Sequence, residues 1–206
     1  MEIVLTDTQI KILKAGREEF LDKGYIKASL RTIAKNAGVS TGAIYGLYRD
    51  KMELFSSLVE PYATDFTNNY LVKQEEFKAL DNKQQIEVMY NYSTNALQEL
   101  LDYIYLHFDA FKLLICCSAG TKYEKFIHTL VDVECKSTYS FYNVLKKEGY
   151  SPQKISENLV HILSSAYFAA IFETVEHDMD KDEADEYVSQ ITSFFHAGWE
   201  RLFSLK

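Results

Sequence analysis

The side chains in this sequence that could make or break bonds are few and scattered. The five histidines are His107, His128, His161, His177 and His196. They form no HExxH pair, and His107-x-Asp109 alone lacks the three or four ligands a metal site needs. The three cysteines, Cys116, Cys117 and Cys135, form no CxxC. Their odd number makes no disulfide framework, so reduced, buried thiols in a cytoplasmic protein are expected. There is no GxSxG, P-loop or GxGxxG. Catalytic residues, a metal and a cofactor are therefore not expected, with an all-α enzyme kept as a distant alternative. Two other sets of residues can do recognition chemistry. Ser29, Thr32, Ser40 and Thr41 read as hydroxyls at helix starts, able to donate to phosphate oxygens. Glu134 and Glu173 fall on otherwise apolar helix faces, where a carboxylate needs a partner. That partner would be a cationic ligand or an internal Lys, Tyr or His, and His177 lies one turn from Glu173.

The elements that must position these groups follow from composition and period. The chain has 206 residues, 47% hydrophobic and 25% charged, as in ordinary globular proteins, and forms one large domain or two small ones. Only 2 Pro and 8 Gly argue against a turn-rich all-β fold. The 15 Tyr and 13 Phe are expected mostly in the core, with some lining a ligand cavity or interface. Met1 to Leu13 lacks the pattern of a signal peptide, and no run of 18 apolar residues predicts a membrane span. The formal net charge of −8 speaks, at first, against nucleic acid.

Helical periodicity begins near Thr8, with Ile12, Leu13, Gly16 and Phe20 on one face, and Gly24 ends that helix. Ser29 is an N-cap candidate for a short helix carrying Leu30, Ile33, Ala34 and Ala37, which Gly38 stops. Ser40 caps the next, with Ile44, Leu47 and Tyr48 on its apolar face. Asp50 and Glu53 have capping-box spacing before Leu54, Phe55 and Leu58. The two short helices around Gly38-Val39-Ser40 have the proportions of a helix-turn-helix, and equally of a plain αα-hairpin within a bundle.

The residues themselves favour the first. Ile12-Leu13-x-Ala15, Phe20, Gly24-Tyr25, Ser29-Leu30-Arg31-Thr32-Ile33-Ala34-x-x-Ala37-Gly38-Val39-Ser40, then Gly42, Tyr45, Tyr48, Lys51, Leu54 and Phe55 resemble the DNA-binding domain of the tetracycline-repressor (TetR) family of bacterial transcriptional regulators. The resemblance covers residues 8 to 55. It implies that Tyr45 and Lys51 meet DNA phosphates, that Gly42 lets the recognition helix approach the backbone closely, and that Tyr48 packs inside. The expected DNA-binding set is Ser29, Arg31, Thr32, Ser40, Thr41, Gly42, Tyr45 and Lys51. The recognition helix departs from the family at Gly46 and carries no Arg, Lys, Asn or Gln, the best bidentate readers of bases. Readout is therefore expected from Thr41, from Ala43 against thymine methyls, from Arg31 or Lys27, and from DNA shape. Residues 1–51 hold nine basic and six acidic side chains, so a +3 head sits on a −11 remainder.

Downstream, the period predicts about six further helical segments. The fourth helix should kink or end at Pro61. Others are expected over 84–107, 108–115, 122–148, 153–177 and 183–203, with Ser151 capping after the Gly149-Tyr150 break and 178–186 a solvated acidic connection. The expected architecture is all-α with about nine helices. A helix-turn-helix domain over residues 1–51 precedes a helical effector-binding and dimerisation domain over 52–206. The resemblance implies a homodimer through the last two helices, here Ala166, Ala169, Ala170, Val188, Ile191, Phe195, Gly198 and Leu202. It also implies a small-molecule effector among helices five to eight, with Tyr90, Tyr103, His107, Phe111, Cys116, Glu134, Phe141, Tyr167 and Glu173 as candidates. The expected function is a repressor released from a pseudo-palindromic DNA operator by that effector, cytoplasmic and without a membrane partner. The alternatives within the same fold are a thiol-sensing regulator using Cys116 and Cys117 and one answering a partner protein.

Overall fold

The computed structural model describes residues 5–205, so part of the Met1 to Leu13 stretch lies outside it. Among the described residues there are nine helices and no strand. They are α1 Asp7–Lys27, α2 Leu30–Ala37, α3 Thr41–Tyr45, α4 Lys51–Ala79, α5 Asn82–Leu106, α6 Phe108–Cys116, α7 Phe126–Lys147, α8 Glu157–Glu176 and α9 Lys181–Phe203. Contacts divide the chain into two compact units. One runs to Thr64 and takes in His107–Glu124; the other holds Asp65–Leu106 and Lys125 onward. The first unit takes in the start of α4, where Leu54 and Phe55 are buried and Phe55 meets Phe20 of α1.

In the first unit, Thr6 opens α1 with a reciprocal cap. Its hydroxyl accepts from the Gln9 N–H at 3.3 Å, and the Gln9 side chain accepts from the Thr6 N–H at 2.9 Å. Gly24, at φ +68°, interrupts the helical backbone near the end of α1. Ile12, Phe20, Ile33, Ile44, Leu54 and Phe55 are fully buried, and the Phe20 and Phe55 rings meet edge to face at 5.1 Å. Gly38 holds the turn of the helix-turn-helix at φ +68°, ψ 30°, a left-handed conformation that L side chains adopt only with strain. The Tyr25 N–H donates to the Cys117 carbonyl at 3.0 Å, and Arg17 pairs with Asp109 at 2.8 Å, joining α1 to α6 and the turn beyond.

Several expected boundaries move. The helix α4 runs through Pro61 to Ala79 without ending. The Ser57 carbonyl, which loses a donor at Pro61, belongs to an exposed residue, so water can satisfy it. Ser156, not Ser151, caps α8, accepting from the Leu159 N–H at 3.2 Å. Asp180 caps α9 from within the stretch read as a connection, accepting from the Glu183 N–H at 2.9 Å. Among the described residues α8 is long and apolar enough to cross a membrane, which the sequence reading did not foresee. Its Val160, Phe168, Ile171, Phe172 and Val175 are buried in its own unit, as in a core helix.

Candidate nucleic-acid interface and ligand cavity

The interface is built on α3. Ile44 and Tyr48 are buried and anchor the short helix, which turns Thr41, Gly42 and Tyr45 outward. Tyr45 is 59% exposed, a large aromatic held at the surface with its hydroxyl free to reach a phosphate oxygen. Ser40 caps α3 by accepting from the Ala43 N–H at 3.1 Å. Arg31 and Arg49 are exposed, and Thr32 is partly so. Ser29 occupies the N-cap position of α2, but its side chain makes no cap bond. Its backbone N–H donates instead to Glu19 at 3.0 Å.

Lys51 does not present its ammonium outward. Its Nζ donates to the carbonyls of Tyr25 at 2.6 Å, Ala28 at 3.0 Å and Ile26 at 3.1 Å, and lies 4.5 Å from the centre of the Tyr25 ring. An ammonium has three protons, and all three have partners. Partial burial lowers its pKa from the ordinary lysine value. The role expected for Lys51, a direct phosphate contact, is thus replaced in this geometry by closure of the C-terminal end of α1, whose last carbonyls lack helical donors.

Nor do the cysteines behave alike. Cys117 is buried, and that burial pushes its thiol up to about 11, away from thiolate chemistry. Cys116 is exposed, against the expectation of three buried thiols.

The second unit holds a partly open cavity of about 180 Å³ lined from α4, α5, α7, α8 and α9. Of the expected effector residues it brings together Glu134, Phe141 and Tyr167. The others lie elsewhere. Tyr90 is exposed, with its ring against His196 at 4.1 Å. The Tyr103 ring lies 6.3 Å from that of Phe66, tilted by 47°. His107, Phe111 and Cys116 belong to the first unit, where the His107 ring lies 4.6 Å from Tyr62 and Phe111 fills the core. Glu173 takes the internal partner, with His177 Nε2 2.8 Å away.

The polar end of the cavity is one network. The Tyr70 hydroxyl and the Gln74 amide, the latter at 3.2 Å, both donate to Glu134 Oε2, while Ser137 donates to the Gln74 carbonyl oxygen. Burial raises the Glu134 pKa above the ordinary carboxylate value, and the bonds from Tyr70, Gln74 and Thr138 oppose that rise. Tyr167, whose hydroxyl lies 3.2 Å from the Thr192 hydroxyl, is pushed up to about 12 by burial. Much of the remaining wall is aromatic: Phe77, Tyr92, Phe168, Phe195, Trp199 and Phe203. Tyr70, Gln74 and Phe77 were missed in the sequence because α4 was expected to break at Pro61. Their i, i+4, i+7 spacing was the available signal.

On α8 and α9, Ala166, Ala169 and Gly198 are exposed, and Ala170, Ile191, Phe195 and Leu202 partly so. Val188, at 3% exposure, faces the core of its own unit and is closed to a partner. Two exposed apolar residues that sequence reasoning missed share this surface: Ile162 at 61% and Phe194 at 73%.

A buried frame presenting an exposed short helix after a tight turn is the arrangement of helix-turn-helix DNA-binding proteins, here followed by helices that enclose a cavity. Residues 12–58 match the family described as bacterial regulatory proteins, tetR family. The HTH-type transcriptional repressor BepR of Brucella suis biovar 1 (strain 1330) is 40% identical over 53 residues, 26% of this chain and 25% of that protein. The match thus spans about a quarter of the length of this curated relative. Over nearly the whole chain the fold is similar to that of a TetR-like transcriptional regulator from Rhodococcus sp. RHA1. The TM-score is 0.55 at 16% identity, with 96% of this chain and 100% of that one covered. It is also similar to NalD, the secondary repressor of the MexAB-OprM multidrug efflux pump in Pseudomonas aeruginosa. There the TM-score is 0.54 at 20% identity, over 89% and 94% of the two chains. The family match is thus confined to residues 12–58, while over the whole chain the similarity is one of all-α fold.

Proposed function

We propose that the chain acts as a homodimeric, cytoplasmic repressor that leaves a pseudo-palindromic operator when a small molecule enters the cavity. The observation that carries this reading is α3, held by Ile44 and Tyr48 so that Thr41, Gly42 and Tyr45 face outward. Tyr45 and the hydroxyls of Thr32 and Thr41 would donate to phosphates, with Arg31 adding charge. Thr41, Ala43 and Arg31 would read bases, and DNA shape would supply the rest. Two copies joined through the exposed faces of α8 and α9 would place two such helices on successive half-sites. The effector would act by differential affinity for two arrangements of the dimer. The helix α4 supports this coupling, because it starts at Lys51 in the first unit and carries Tyr70 and Gln74 into the cavity wall. Footprinting of the DNA flanking its own gene tests the reading. A protected, two-fold related pair of half-sites is expected, and absence of protection at low salt would overturn it.

A further inference from the structure

We propose that the cavity takes a small organic ammonium ion, one aromatic ring bearing a short-chain amine, with Glu134 as its counter-ion. The proposal rests on reading the cavity as the effector site and adds the chemical class of the effector.

Three observations carry it. The first is charge. Among the described residues, Glu134 is the one carboxylate in the cavity wall. It accepts from Tyr70 and Gln74, both neutral donors, so its hydrogen bonds bring it no positive partner. The wall has two basic side chains, and each has a carboxylate neighbour outside it. Lys73 Nζ lies 2.7 Å from Glu99, and His196 Nδ1 lies 3.9 Å from Glu200. A carboxylate in such a site lacks a matching cation, and a cationic ligand would supply one. A carboxylate offers about four acceptor positions, so capacity remains after Tyr70, Gln74 and Thr138.

The second observation is the wall. Tyr70, Phe77, Tyr92, Tyr167 and Trp199 turn a concentrated aromatic surface to one space. Ring faces are negative and attract ammonium groups, more strongly where water is excluded. The tyrosines stay neutral, since burial raises the pKa of Tyr70, Tyr92 and Tyr167. The third is size. An apolar cavity of about 150 Å³ holds benzene, whereas drug-sized ligands take about 300 Å³ or more. At about 180 Å³ the space fits one ring and a short arm.

The test is calorimetric titration of the full chain with three probes of one shape: 2-phenylethylamine, 2-phenylethanol and phenylacetate. The amine is expected to bind at least about tenfold more tightly than the alcohol, and phenylacetate most weakly. In Glu134→Gln the amine's advantage over the alcohol should fall to within about twofold. Ala96→Trp, which fills the cavity from α5, should abolish binding of every probe. Alcohol or carboxylate binding as tightly as the amine in the wild type overturns the ligand class while leaving the cavity as an effector site. An amine preference that survives Glu134→Gln overturns the counter-ion. If none of the three binds, the ligand class is overturned, and the effector reading is judged separately by whether other small molecules release the chain from its footprinted DNA.

Discussion

The ammonium of Lys51 sits 2.6 Å from the Tyr25 carbonyl oxygen, and this contact joins the start of α4 to the end of α1. Lys51→Met should therefore act first on stability. Charged hydrogen bonds contribute about 1.5–3 kcal/mol each and do not add, so a loss of about 2 kcal/mol is expected in urea unfolding. The slope of log affinity for DNA against log salt should stay at its wild-type value, because no phosphate contact is removed. A slope shallower by about 0.9 would restore Lys51 to the phosphate backbone.

Tyr45→Phe removes only an exposed hydroxyl. It should weaken DNA binding alike on all sequences, by about 1 kcal/mol or roughly fivefold. Thr41→Ala should instead change preference among sites, as read by competition between duplexes that differ at single base pairs.

Gly38→Ala should cost about 1–2 kcal/mol. A Cβ there would meet no atom within 4 Å, so the cost lies in the φ of +68° alone. Gly38→Asn, whose side chain tolerates this conformation better, should cost less in the same unfolding measurement.

These positions show how much of the molecule is legible in the sequence. Local chemistry reads well: Gly38 must take the turn, Ser40 must cap α3, and Tyr48 has an apolar place to go. Long-range demands do not. Ser29 looks like a cap, yet Glu19, ten residues away, takes its N–H. Pro61 looks like a helix end, yet its missing donor falls on an exposed face. The helix α9 is apolar on two sides, so one periodic pattern hid two rows. Val188 turns to the core while Phe194 turns to the surface. Of the cavity, Glu134 and Phe141 are legible as groups on one helix face, and Tyr167 as a candidate on the next helix. The α4 wall opposite them is not, because it depends on the helix continuing past Pro61.

The two rows make a prediction of their own. Ile162→Asp with Phe194→Asp should convert the proposed dimer to monomer by light scattering, because both side chains are exposed in the single chain. Val188→Asp would unfold the unit instead, and persistence of the dimer in the double variant would place the interface elsewhere.

Glu134 gives the stability a pH dependence. Its pKa in the folded chain lies above the ordinary 4.5. The folded state therefore holds the proton longer than the unfolded state, and stability falls as pH rises from about 4.5 through the raised value. Tyr70 from α4, Tyr92 from α5 and Tyr167 from α8 line the same cavity, as do Lys73 and His196, whose nitrogens lie near Glu99 and Glu200. Glu134→Gln should flatten this part of the profile in urea titrations between pH 4 and pH 8. An unchanged difference between the two proteins across that range would mean that Glu134 titrates normally.

If α3 reads DNA as proposed, the purified chain should select its own sites. The most direct measurement is selection of random-sequence duplexes by the purified chain, followed by sequencing and a salt titration of the winners. A site with two-fold related halves is expected, with an affinity that falls by about 10³ to 10⁵ between 50 and 200 mM salt, as roughly six to ten phosphate contacts require. A folded chain that retains no duplex at 50 mM salt would contradict this reading of α3.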